Sequence, residues 1–227
     1  MEASHKEFTE DTFYLDYHTE SLKNFVSKHL QGESETEKVV SLYYAVRDQI
    51  KYDPYHIILS KEELRASRVV ERRYGFCVEK ALLLAACIRS IGVPAKLGFA
   101  NVKNHLTSPR LAELMKTDIF VFHGYTDIFL EGRWVKATPA FNNSLCERTG
   151  TLPLDFDGKT DSIFHPLDKE GKKHMEYLKD FGSFPDLPYD RMMDEYEEHY
   201  SHLKVKENLS FGNFRIKSDF EKEARGG

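Results

Sequence analysis

The chain has only three cysteines, at positions 77, 87 and 146, in 227 residues. An odd count at irregular spacing builds no disulfide framework, so reduced thiols in a cytoplasmic setting are expected. No apolar run approaches the roughly eighteen residues of a membrane span, the longest being ALLLAACI. The opening MEASHKEFTEDTFYLD lacks the basic-then-apolar order of a secretory leader, which agrees with that setting. A basic stripe interleaved with aromatics is also missing. The 37 acidic and 32 basic residues leave a net charge of −5, and nucleic acid is not an expected partner. No internal repeat or low-complexity tract is present. The hydrophobic share of 41% and aromatic share of 13% suffice for a real core, in one domain or one domain with an extension.

TESLKNFVSKHL spaces Leu22, Phe25, Val26 and Leu30 along one helical face, with Thr19 as its cap, and GES at 32–34 breaks it. TEKVVSLYYAVRDQIKY repeats the spacing through Val40, Leu42, Tyr43, Val46 and Ile50, and stops before Pro54. KEELRASRVVERR is a short charged helical stretch leading into RRYGFCVEKALLLAACIRS, which sets Cys77 at the mouth of an apolar helix closed by Gly92 and Pro94. AKLGFANV reads as a strand. DIFVFHGYTDIFLEGRWVKATPAF reads as a hairpin turning at Glu131 and Gly132, its first arm apolar on both faces and therefore central. Beyond 143 the chain is rich in turn residues, with DRMMDEYEEHY as one acidic, aromatic helix whose charges mark a solvated face. Helices followed by strands predict an α+β fold, with an antiparallel sheet packed on the central helix that carries the cysteine. The expected divisions are an N-terminal helical extension (1–37), a core (38–142) and a C-terminal extension (143–227) packing on the core, placed to act as a lid.

Cys77 shares a helical face with Ala81, Leu84 and Ile88, which suits a small core residue. Its position in the first turn suits a nucleophile, because free N–H groups and the helix dipole there lower a thiol pKa and can bind an oxyanion. Cys87, mid-helix, and Cys146, in a polar loop, have neither advantage. Among ten histidines, His123 is unusual in lying inside the apolar strand FVFHGY, with Gly124 leaving room for another group to approach. Pairing Leu130 with Arg133 sets Asp127 opposite Lys136, its structural partner, and Tyr125 opposite Thr138. Thr138 is then diagonal to His123, at about 7 Å, where a hydroxyl can orient an imidazole.

These blocks resemble the transglutaminase-like superfamily. YGFCVEKALLLAACIRSIGVPAKLGF resembles its nucleophile segment, HGYTDIFLEGRWVKATPAF its histidine hairpin, and LYYAVRDQIKYD the helix that leads in, together covering residues 38 to 142. The resemblance implies a papain-like fold in which Cys77 is the nucleophile and His123 the base. The family's Asp follows the tryptophan in Val-Asp-Pro-Thr; here the stretch is Ala-Thr-Pro-Ala and Thr138 holds the position. A hydroxyl can fix the imidazole tautomer but does not stabilise imidazolium as a carboxylate does.

The reaction so implied is cysteine-dependent acyl transfer on a peptide or other amide through a thioester. Water is the expected acceptor, since no calcium loop or second binding domain stands out. LDFDGKTD has acidic residues, but Gly158 is misplaced for a calcium loop and the distal Glu is absent. His165 and His174 lack a cysteine to complete a zinc set and read as surface residues. No cofactor or metal is expected. The alternative is a catalytically silent domain that binds protein, with Thr138 as its mark; acyl transfer from a small thioester donor would need a cofactor pocket that no motif provides.

Overall fold

The structure is a computed structural model describing residues 3–104, 109–163, 170–171, 175–210 and 220–223. Its longer α-helices are α1 (Glu20–His29), α2 (Glu35–Gln49), α3 (Ala66–Arg72), α4 (Cys77–Ser90), α5 (Pro109–Met115), α6 (Asn143–Thr149) and α7 (Tyr189–His199). A two-residue parallel pair, β1 (Lys51–Tyr52) with β2 (Tyr74–Gly75), joins the end of α2 to the start of α4. The main sheet is antiparallel, in the order β5 (Arg133–Ala137), β4 (Ile119–Leu130), β3 (Ala95–Asn104) and β6 (Met175–Phe184).

A helix with Leu82, Leu83, Leu84 and Ile88 separated mainly by alanine has no polar face to show to water, so it must be surrounded. Residues Cys77 to Arg89 of α4 are all buried, between α2 and α3 on one side and β3 and β4 on the other. Burial of each leucine is worth about 1.5–3 kcal/mol. Thr126 faces this helix and donates its hydroxyl to the Ala81 carbonyl at 3.0 Å. The expected α+β architecture, sheet on central helix, is therefore the observed one.

The hairpin turns where expected, with Glu131 at φ 50° and Gly132 at φ 83°, the two left-handed positions that let a two-residue turn follow the strand twist. Leu130 pairs with Arg133 and Asp127 with Lys136. The side chains of that last pair bond elsewhere. Lys136 reaches Asp180 at 3.6 Å and lies over the Tyr125 ring, while the Asp127 carboxylate accepts from the Ser183 hydroxyl. The cause is β6, an edge strand that sequence reasoning missed. MEYLKDFGSF has no clean alternation, and most of its side chains are exposed. It is a strand because β3 supplies the partner.

Three other local readings change. Helix α2 begins with a capping box, Ser34 accepting from the Glu37 N–H and the Glu37 carboxylate from the Ser34 N–H, so the GES break also starts a helix. Thr19 stands at the N-cap of α1, but its hydroxyl bonds back to the Asp16 carbonyl. Cys146 is not in a polar loop. It lies in α6, 1% exposed, because Asn142 starts a helical turn ended by left-handed Gly150. The acidic stretch near 157 is a turn in which Asp157 accepts from the Lys159 and Thr160 N–H groups. His165 and His174 fall outside the described residues.

Buried charge is used as fastening. Lys80, fully buried, donates to the Arg47 and Ile50 carbonyls at 2.8 and 2.6 Å, capping the end of α2, and burial brings its pKa down to about 7. Arg89 donates to the carbonyls of Ala95 at 2.8 and 3.0 Å, Glu10 at 2.8 Å, and Pro185, tying the N-terminal segment, the start of β3 and the exit of β6 to the end of α4. Among the described residues no helix is long and apolar enough to cross a membrane.

Candidate active site

The approach of β4 to the first turn of α4 builds the site. A Cβ on Gly124 would stand 3.0 Å from Val78 Cα, 3.2 Å from the Cys77 carbonyl oxygen and 3.3 Å from Ala81 Cβ, so only glycine lets the strand come this close. Strand β5 ends at Ala137, opposite Thr126, and β4 continues alone on that side past Gly124. The N–H groups of Gly124, Val78 and Cys77 itself lie near enough to the Cys77 sulfur to favour its anion. The thiol thus meets β4 one residue from His123, with a free helix end behind it. Gly124→Ala should push the first turn outward by a few tenths of an ångström. We expect Cys77 reactivity toward an acyl ester to fall about tenfold or more, at a stability cost of about 1 kcal/mol. Stopped-flow kinetics and a urea melt would read the two effects separately.

Burial then decides the protonation states. Cys77 is 7% exposed and His123 is 2% exposed. Burial pushes the Cys77 thiol up to about 12; the nearby Glu79 carboxylate adds to this and the three N–H groups oppose it. The expected lowering by the helix end is therefore present but outweighed. Burial also brings the His123 imidazole down to about 3. Burial thus favours the neutral thiol and the neutral imidazole over their charged forms.

Glu79 fixes the helix start from below. Its carboxylate accepts the Phe76 N–H at 3.1 Å and pairs with Arg72, which also lies over the Tyr74 ring. Phe76 has no acceptor of its own, so Glu79 does the capping alone.

Thr138 is 1% exposed and directly follows β5, whose pairing with β4 ends at Ala137 opposite Thr126; its N–H donates to the Ser162 carbonyl and its carbonyl accepts from the Tyr43 hydroxyl. Its own hydroxyl has no hydrogen-bond partner among the described residues, so the expected bond to the imidazole is not made in this state. The Ser162 hydroxyl, next to it across an isolated bridge at Ala137, is likewise buried and without a hydrogen bond. Cys87 is fully buried mid-helix, with burial pushing its thiol upward, and belongs to the core. Sequence reasoning missed the aromatic side of the site. Tyr52, Tyr196 and Tyr200 line a cavity of about 30 Å³ with Cys77, and the last two come from a part of the chain with no motif of its own.

The family model of the transglutaminase-like superfamily matches residues 24–139, just over half of the chain, and takes in Cys77, His123 and Thr138. A candidate cysteine protease from Cytophaga hutchinsonii superimposes at a TM-score of 0.48 and 13% identity, over 81% of this chain and 55% of that one. A candidate protease from Parabacteroides distasonis gives 0.37 and 18%, over 70% and 28%. The chain therefore spans about half of the first structure and under a third of the second. No curated protein matches.

Proposed function

Because the chain belongs to the transglutaminase-like superfamily, we propose that it is a cysteine-dependent enzyme that cleaves a peptide or other amide through a thioester on Cys77. The observation that carries this reading is the close approach of Gly124 to Cys77 and Val78, which sets the first turn of α4 against the strand residue next to His123. His123 takes the thiol proton as sulfur attacks the carbonyl carbon, and the Cys77 and Val78 N–H groups stabilise the oxyanion. As the C–N bond breaks, His123 returns the proton to the leaving amine. Water then attacks the thioester, giving its proton to His123 and restoring the thiol as the acid leaves. Thr138 acts as a positioning residue, its hydroxyl accepting the imidazole N–H once the ring is charged.

A neutral resting pair is consistent with this chemistry, since the proton moves only as the substrate carbonyl accepts charge. It also means that the free thiol is a poor nucleophile, and this observation favours the second reading, a silent protein-binding domain. A p-nitrophenyl ester distinguishes the two. A burst of about one nitrophenolate per chain, with the acyl mass on the Cys77 peptide and neither in Cys77→Ala, is the expected result. Added methylamine then reports the acceptor: hydrolysis leaves free acid as the main product, transamidation the N-methylamide. Absence of acyl-Cys77 would sink the enzyme reading.

A further inference from the structure

The small cavity at Cys77 is walled by Tyr52, Leu111, Met115, Phe120, Tyr196 and Tyr200 among its lining residues, and none of that lining is charged. At about 30 Å³ it has room for a water or two and for no amino-acid side chain. At that volume, an acyl group reaching the sulfur through this cavity must displace part of its wall. Tyr196 and Tyr200, each 1% exposed, are the rings that lie outside residues 24–139 and come from α7 and its exit. The Tyr200 hydroxyl grips β4 from both sides, donating to the Ile119 carbonyl at 2.9 Å and accepting the Val121 N–H at 2.8 Å. The remaining edges of α7 are held by Met192 and Met193 in the core and by its acidic outer face in water. Burial, and after it the Cys77 thiol, hold the Tyr196 hydroxyl well above the usual phenol range, as they do that of Tyr52, so these groups lie within electrostatic reach of the sulfur.

We infer that α7 and its exit occupy the acyl subsite of Cys77, with the Tyr196 and Tyr200 rings standing where the substrate's own aromatic or large aliphatic side chain binds. The inference rests on the proposal that Cys77 is the nucleophile. A wall of rings and methyls offers an ionised side chain no replacement for its hydration, whereas an apolar one exchanges one ring contact for another. The substrate class is thus an acyl donor with an apolar side chain next to the scissile carbonyl, and acidic or basic residues at that position are rejected.

Wild type and Tyr200→Phe, which keeps the ring and removes both hydrogen bonds to β4, are each treated with N-acetyl phenylalanyl, leucyl, aspartyl and lysyl chloromethyl ketones, and with iodoacetamide as a reagent of no side-chain class. Sulfur displaces chloride, and peptide mass spectrometry counts the adduct at Cys77. In wild type the phenylalanyl and leucyl reagents should label Cys77 at least tenfold faster than the charged pair. Tyr200→Phe should raise the apolar and iodoacetamide rates about fivefold and keep the preference. Equal rates for apolar and charged reagents, with iodoacetamide labelling intact, would overturn the subsite and leave the nucleophile standing. No labelling of Cys77 by any reagent in either protein would overturn both. The wild-type preference decides the matter even if Tyr200→Phe folds poorly.

Discussion

Replacing His123 by alanine is expected to slow acylation of Cys77 by roughly 10³-fold, because the variant lacks the proposed base while burial keeps the thiol protonated at neutral pH. The burst rate with a p-nitrophenyl ester measures this directly. The same variant carries a second signature that a merely structural histidine would share and a surface histidine would not. The unfolded chain binds a proton at the ordinary imidazole value of 6.5, while the folded chain resists it down to about 3. The stability contributed by the neutral ring is therefore complete above pH 6.5 and is lost as pH falls from 6.5 toward 3, by at most about 1.4 kcal/mol per pH unit. Glu79 slopes the other way. Burial raises its carboxyl from 4.5 to about 7, against the pull of Arg72, so its contribution is present below 4.5 and lost as pH rises to 7. Urea melts of wild type and His123→Ala at pH 7.5, 6, 5 and 4 separate the two. The gap between the proteins should narrow steadily with acid, by several kcal/mol across the range if the ring stays buried. A constant gap would mean that His123 charges freely and is not held neutral at the site.

Arg89→Met is expected to be among the most destabilising single substitutions, at about 3–5 kcal/mol. Methionine fills similar length but leaves the carbonyls of Ala95, Glu10 and Pro185 without the donors that now satisfy them. Burial lowers the Arg89 pKa only to about 10, so the group is charged at neutral pH and the loss is that of a charged hydrogen-bonding hub. A domain commonly holds 5–15 kcal/mol in reserve, so the variant should unfold at a much lower urea midpoint with an unchanged slope. Arg89→Lys should recover only part of the difference, since one ammonium cannot reach three separate segments.

The parts of this fold that could be read from sequence are those whose causes are local. ALLLAACI is apolar in every direction and must be a surrounded helix; Glu131 and Gly132 must turn; and the hairpin register from Leu130–Arg133 to Thr126–Ala137 follows from that turn. Strand β6 was illegible because its residues have no preference of their own and take their conformation from β3, some eighty positions earlier. Cys146 was misplaced for a similar reason, since the start of its helix is held by distant chain, the Asn143 N–H donating to the Asp48 carboxylate and the Tyr52 N–H to the Asn142 side-chain oxygen. The thiol pKa shows the limit most clearly. The helix end that lowers it is visible in the motif, but the burial that raises it depends on α5 and α7, which approach from elsewhere in the chain.

Four residues, Pro185 to Pro188, separate β6 from α7, and one end of that link is pinned by Arg89 to the Pro185 carbonyl. The rings over Cys77 are thus leashed to the sheet they cover, on a cord that is short and stiffened by two prolines. Such a leash makes the occupant of the site intramolecular, present at an effective concentration in the millimolar range however dilute the protein is. A substrate competes with it at every encounter, and its apparent affinity is its intrinsic affinity scaled by the fraction of time the rings stand aside. Truncation offers no simple escape from this competitor, because a cut that frees the leash before β6 also strips the edge of the sheet. Throttling and folding are, in this chain, carried by the same segment, Met175 to Tyr200.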